Sequence, residues 1–212
     1  MDDCCGGKVR VIEQARDAFG RVLWVVLAIN GAMFVAEFGA GLLARSTALM
    51  ADSLDMFGDA TAYGLSLYAL HRTVRWRAGA ALVKSLLMAG FGQVVLGDVA
   101  LKVAAGTVPA APLMGAFGAL ALAANLVCAL LLLRFRTGEI NMRSTWLCSR
   151  NDVLANLGVL LAAGLVASMQ SLWPDTIIGL LIAGVFLQSA LGVFRAAVGQ
   201  LATTHEAAAT FE

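Results

Sequence analysis

The sequence predicts an all-α polytopic membrane protein with six transmembrane helices and both termini in the cytoplasm. Of its 212 residues, 60% are hydrophobic and only 14% charged, and the mean hydropathy is +0.82. Soluble domains carry roughly 25% charged residues, so an aqueous setting is excluded for most of the chain. The apolar residues fall into runs long enough to cross a bilayer, which takes about 20 residues per helix. Short links carrying arginine, proline or glycine separate them. Six crossings use up the length and leave no soluble domain of ordinary size.

Residues 1–20 read as a polar, mixed-charge cytoplasmic segment in which Arg10, Glu13, Arg16 and Asp17 suit a short surface helix. Acidic residues there, and an apolar run longer than a signal-peptide core, argue against a cleaved signal. The membrane region is 21–198. Its first span, 21–44, contains Asn30 and Glu37, and its second, 46–70, carries Asp52, Asp55 and Asp59 before a basic run containing Arg72, Arg75 and Arg77. The third, 78–105, holds Lys84, Gln93 and Asp98. Residues 106–112, with two prolines, predict a turn. The fourth span, 113–133, ends at Arg134 and Arg136, and a polar link, 137–143, leads to the fifth, 144–169, with Cys148, Arg150, Asn151, Asp152 and Asn156. Trp173 and Pro174 mark the next turn. The sixth span is 175–198, and 199–212 form a short cytoplasmic tail.

Lysine and arginine set the expected orientation, because loops rich in them stay in the cytoplasm. Lys8, Arg10, Arg16 and Arg21 precede the first span, basic residues follow the second and fourth, and Arg195 lies near the end of the sixth. The opposite side shows only Arg45 and Lys102. Cys4, Cys5, Cys128 and Cys148 make no disulfide framework, and the adjacent pair is badly placed for a bridge. Nothing in this composition points to nucleic acid; the expected surroundings are the lipid bilayer.

Three aspartates within one span are the costliest feature of the chain. A carboxylate near the bilayer centre costs roughly 2.5 to 3.5 kcal/mol, so these acids must face a bundle interior, a cation or water. Asp55 and Asp59 stand four residues apart on a helix, with Asp52 three before Asp55, so all three share a face. Cys148 and Asp152 repeat that spacing in the fifth span. Two antiparallel helices would bring Asp55, Asp59, Cys148 and Asp152 into a four-ligand cage of three carboxylates and a thiolate. Zinc accepts oxygen and sulfur ligands in tetrahedral geometry, and cobalt or cadmium would also fit.

Blander roles stand beside these. Buried aspartates can be glue between helices, paired with Arg150, Lys84 or hydroxyls. Asp52, Asn151 and Asn156 lie off the best cage geometry and suit ligand orientation. Glu37 and Asn30, seven apart on one face, either line an ion path or hold helices together. Asp98 and Asp175 read as interface or helix-start residues. Cys128, Met33, Met50 and Met56 read as packing, and Gly31, Gly39, Gly41 and Gly58 as sites of close helix approach. Cys4 and Cys5, with Asp2 and Asp3 nearby, form a possible loose metal-capture site.

These residues resemble the cation diffusion facilitator family. The resemblance rests on Asn30-x-x-Met33-Phe34-x-x-Glu37, on Ser46-x-Ala48-Leu49-x-Ala51-Asp52-Ser53-x-Asp55-x-x-x-Asp59, and on Cys148-x-x-x-Asp152 followed by Asn156. It implies a transport domain over 21–198 and efflux of a divalent metal, zinc first, from the cytoplasm of a bacterial cell across its inner membrane. Protons are the implied coupling ion and a homodimer the implied assembly, with no permanent cofactor and no enzyme chemistry. The family's site pairs fall on Asp55 with Asp59 and on Cys148 with Asp152. Cysteine stands at 148 where the family usually has histidine, which implies a softer site. The family's usual carboxy-terminal cytoplasmic domain has no counterpart in 199–212.

Two rival readings remain. An intramembrane aspartyl hydrolase would pair Asp59 with Asp98, each of which follows a glycine, but it explains neither Cys148 nor the repeated spacing. A membrane metal sensor or accessory subunit would bind metal without moving it.

Overall fold

The computed structural model describes the backbone of residues 3–69, 74–133, 135 and 140–209, and the side chains of these residues except 3–17, 66, 68–69, 74–75, 77, 140–151 and 200–209. Among the described residues six helices follow one another: α1 Asp3–Ala44, α2 Thr47–Ala69, α3 Val74–Ala105, α4 Ala111–Leu133, α5 Ile140–Met169 and α6 Trp173–Ala209. The protein is a polytopic membrane protein. Among the described residues, five helices are long and apolar enough to cross a bilayer. The sixth, α2, is set apart by its three aspartates, yet its 23 residues span about 34 Å at the helical rise.

Two boundaries differ from expectation. α1 begins at Asp3, so the amino-terminal segment continues into the first span as one helix, with no proline to interrupt residues 3–20. α6 likewise runs on to Ala209 through the expected tail. Pro112 and Pro174 lie in the first turns of α4 and α6 rather than in the preceding turns. A proline costs little there, because its missing N–H has no helical partner anyway.

Helix ends are closed by local hydrogen bonds. At the end of α1, Ser46 N donates to Gly41 O at 2.9 Å and Arg45 N to Leu42 O at 3.3 Å, with Arg45 left-handed at φ 51°. Gly106, at φ 61°, closes α3 in the same pattern. This motif satisfies carbonyls that the last turn leaves bare.

α2 is the axis of the bundle and touches all five other helices. α1 packs on α2 and α4, α4 on α5, and α3 on α6, which also meets α2 and α5. Four apolar clusters of described residues pack around α2, the smallest of them Met33, Met56 and Ala121. One gathers Ala44, Leu49, Met114, Val159 and Val166; another joins Val26, Tyr63, Cys128 and Leu132. The third joins α2, α3 and α6 through Met50, Leu54, Met88 and Phe186, flanked by Phe34, Phe38, Phe57 and Phe91. Rings in that flank sit 5.1 to 5.9 Å apart, in tilted or edge-on contact. Met33, Met50, Met56 and Cys128 are buried packing residues, as expected. Leucine and valine dominate the outer surface, where lipid tails would lie.

Two of the four glycines expected at close approaches are such sites. A Cβ on Gly41 would lie 2.7 Å from Met50 Cγ, and one on Gly58 3.3 Å from Phe186 Cε2, whereas Gly31 and Gly39 face open space. The tightest backbone approach was not anticipated. A Cβ on Gly179 of α6 would meet the Thr47 carbonyl carbon at 2.7 Å and Ala48 N at 2.8 Å.

Candidate metal centre

No proline breaks α2, so its acids keep helical spacing and fall on successive turns. Asp55 and Asp59 are half-buried at mid-helix. Asp152, only 8% exposed, faces them from α5, and both carboxyls lie within its hydrogen-bonding reach. α2 and α5 thus bring these three of the four expected residues towards one another. Among the described residues, no three His, Cys, Asp or Glu side chains already stand as a metal-holding set. The Cys148 side chain, the fourth expected ligand, lies outside the described residues, as do those of Asn151, Cys4 and Cys5.

Neighbouring groups moderate the charge. Tyr63, one turn beyond Asp59, donates its hydroxyl to Asp59 Oδ2. Lys84 of α3 donates to the Gly58 carbonyl at 2.8 Å and sets its ammonium against Asp55 and Asp59. The lysine partner weighed for these acids is therefore present beside them. Three carboxyls gathered in a low-dielectric interior repel one another unless a cation or proton sits among them. Lys84 supplies one such charge.

Asp52 does not join this group. It is 1% exposed and accepts the amide N–H of Asn156, whose own Oδ1 accepts from Asn125 Nδ2 at 3.0 Å. On its other side it faces Glu37 of α1. Glu37, Asp52, Asn156 and Asn125 thus form a second polar chain across α1, α2, α5 and α4. Asn125, an isolated amide in an apolar run, was missed by sequence reasoning. Asn30 holds helices together: its amide donates to Val26 O at 2.9 Å and to Cys128 Sγ at 3.7 Å.

A third polar cluster closes one end of the bundle. Asp175 is in the first turn of α6, as expected of a helix-start acid, but its carboxylate serves α2. It accepts from Thr47 N at 2.8 Å, Ala48 N at 3.2 Å and Ser46 Oγ at 2.5 Å, and it pairs with buried Lys102 of α3. Asp98 accepts from Thr47 Oγ1 at 3.3 Å in the same cluster. Thr47 precedes Asp59 by 12 residues, about 18 Å along the helix. Asp98 and Asp59 are accordingly no dyad, and the hydrolase reading loses its geometry.

Comparison with known proteins agrees with this arrangement. The family described as the cation efflux transmembrane domain matches residues 23–202. The metal cation efflux system protein CzcD of Cupriavidus metallidurans (strain CH34) is 26% identical over 174 residues, which is 76% of this chain and 55% of that protein. The cation efflux system protein CzcD of Alcaligenes sp. (strain CT14) matches with the same identity and coverage. An uncharacterized protein in the glgB 5′ region of Geobacillus stearothermophilus is 38% identical over 55 residues, 26% of this chain and 51% of that protein. The chain thus spans about half the length of the curated relatives it matches. By the match over most of its length, the chain belongs to the cation efflux transmembrane domain family, a family of transporters rather than enzymes.

Proposed function

We propose that this chain moves a divalent transition-metal cation out of the cytoplasm in exchange for protons, with Asp55, Asp59, Cys148 and Asp152 as the ligands. The observation that carries this reading is the meeting of Asp55 and Asp59, one turn apart at the middle of α2, with Asp152 of α5. Three carboxyls at such a depth are costly unless they serve a cation. Zinc is the first candidate, with cadmium and cobalt next, because a thiolate beside carboxylates suits borderline-soft ions. Two relatives named as cation efflux system proteins support the direction of transport.

The chain's residues divide the work. Asp55, Asp59 and Asp152 bind the cation when deprotonated and release it when protons return. Lys84 holds the acids in place between cations and withdraws as the metal arrives. α3, packed on α6, and the α1, α2, α4 and α5 group are the natural bodies to rock against each other around the site. Placement in a bacterial inner membrane, cytoplasmic termini and a homodimer belong to this reading; the basic-residue distribution supports the orientation, and the family resemblance the assembly.

The test is metal-driven proton flux in proteoliposomes, with zinc, cadmium and cobalt offered in turn to wild type, Asp59→Asn and Cys148→His. Flux lost in Asp59→Asn and a changed metal preference in Cys148→His are expected. Metal binding without flux for any ion would overturn transport in favour of a sensor or accessory subunit.

A further inference from the structure

Glu37 is fully buried, at 0% exposure, and neither of its carboxyl oxygens has a hydrogen-bond partner. It faces the Asp52 carboxyl. Two ionised carboxylates accept hydrogen bonds and donate none, so ionised they would only repel. A proton between them turns the contact into an O–H···O⁻ hydrogen bond, among the strongest a protein makes. Asp52 already accepts the Asn156 amide, so its carboxyl has a donor in place. Glu37 receives no such donor, which makes it the protonated partner.

Among the described residues, the further charged group that acts on this pair is Asp55. On α2, Asp55 lies one turn beyond Asp52; α4 and α5 contribute the amides Asn125 and Asn156. Lys84 is directed at Asp55 and Asp59.

We propose that Glu37 and Asp52 form a proton-binding site separate from the Asp55, Asp59 and Asp152 carboxyls, with the proton on Glu37 and pointed at Asp52. Its role in exchange rests on the transport reading above. A divalent cation arriving at Asp55 and Asp59 adds positive charge one turn from Asp52 and drives the Glu37 proton off to water. Glu37 is left as a carboxylate, and the interior gains one charge instead of two.

Infrared difference spectroscopy of the full chain at neutral pH, without metal, tests the site directly. Wild type minus Glu37→Gln should show the carbonyl stretch of one protonated carboxyl, which Asp98→Asn leaves in place. Identical wild-type and Glu37→Gln spectra would overturn the proposal. Should Glu37→Gln not fold, Asp52→Asn decides: the band shifts or vanishes if Asp52 is its acceptor, and an unaltered band refutes the pairing. In proteoliposomes Glu37→Gln should exchange about one proton fewer per metal ion than wild type. Absence of flux in wild type would sink the transport reading, while the infrared band would still decide whether Glu37 holds a proton.

Discussion

Asp175, at the start of α6, accepts hydrogen bonds from the backbone N–H groups of Thr47 and Ala48 at the start of α2. A side chain from a distant helix thus caps another, and the buried ammonium of Lys102 neutralises it. Removing one partner of a buried ion pair leaves the other charge uncompensated, at a cost of about 3–5 kcal/mol. Asp175→Ala should therefore lower the thermal unfolding midpoint in detergent by roughly 10 °C. The double change Asp175→Ala with Lys102→Met should recover part of that loss; no recovery would mean that capping, not the ion pair, carries the stability.

Gly179→Ala should be more damaging than its size suggests. The new methyl would meet Thr47 and Ala48 backbone, which cannot rotate away. Forced overpacking costs about 1–3 kcal/mol. Gly39→Ala, which faces open space, serves as the control. Equal midpoints for the two variants would contradict the close approach of α6 to α2.

Lys84→Met should tighten metal binding. The ammonium and the metal seek the same acids, so removing the former eliminates a competitor. An affinity gain of about tenfold, or 1.4 kcal/mol, is expected in calorimetric titration. A tenfold loss instead would make Lys84 a structural partner of Gly58 and little else.

Acid should weaken metal binding. Carboxylates bind metal only when deprotonated, so protons compete as pH falls, and Kd should rise about tenfold per pH unit for each proton displaced. A Kd that does not change with pH would leave no chemical basis for exchange at these acids.

Local features of this fold were legible and distant ones were not. Apolar runs gave all six helices, and the i, i+4 spacing put Asp55 with Asp59 on one face because helical geometry alone requires it. The antiparallel order of α2 and α5 added Asp152. Helix lengths at the ends were less legible, since an amphipathic stretch without proline continues a helix as readily as it leaves one. The partnerships of Glu37 with Asp52 and of Lys102 with Asp175 join residues 15 and 73 positions apart on different helices, where no periodicity speaks. Asn125 carried no signal at all. A single amide in an apolar helix declares its partner only when the neighbouring helix is in place.

The central position of α2 bears on how the protein is made. With three acids in 23 residues, this helix is not among the five described helices apolar enough to cross a bilayer by composition alone, each central aspartate adding roughly 2.5 to 3.5 kcal/mol to the cost of entry. Its acids meet Glu37 of α1, Lys84 of α3 and Asp152 and Asn156 of α5. α2 leaves the ribosome before α3 and α5 exist. Its earliest companion is α1, so the nascent hairpin of these two helices must be sheltered at the insertion machinery until later helices arrive to complete its polar contacts.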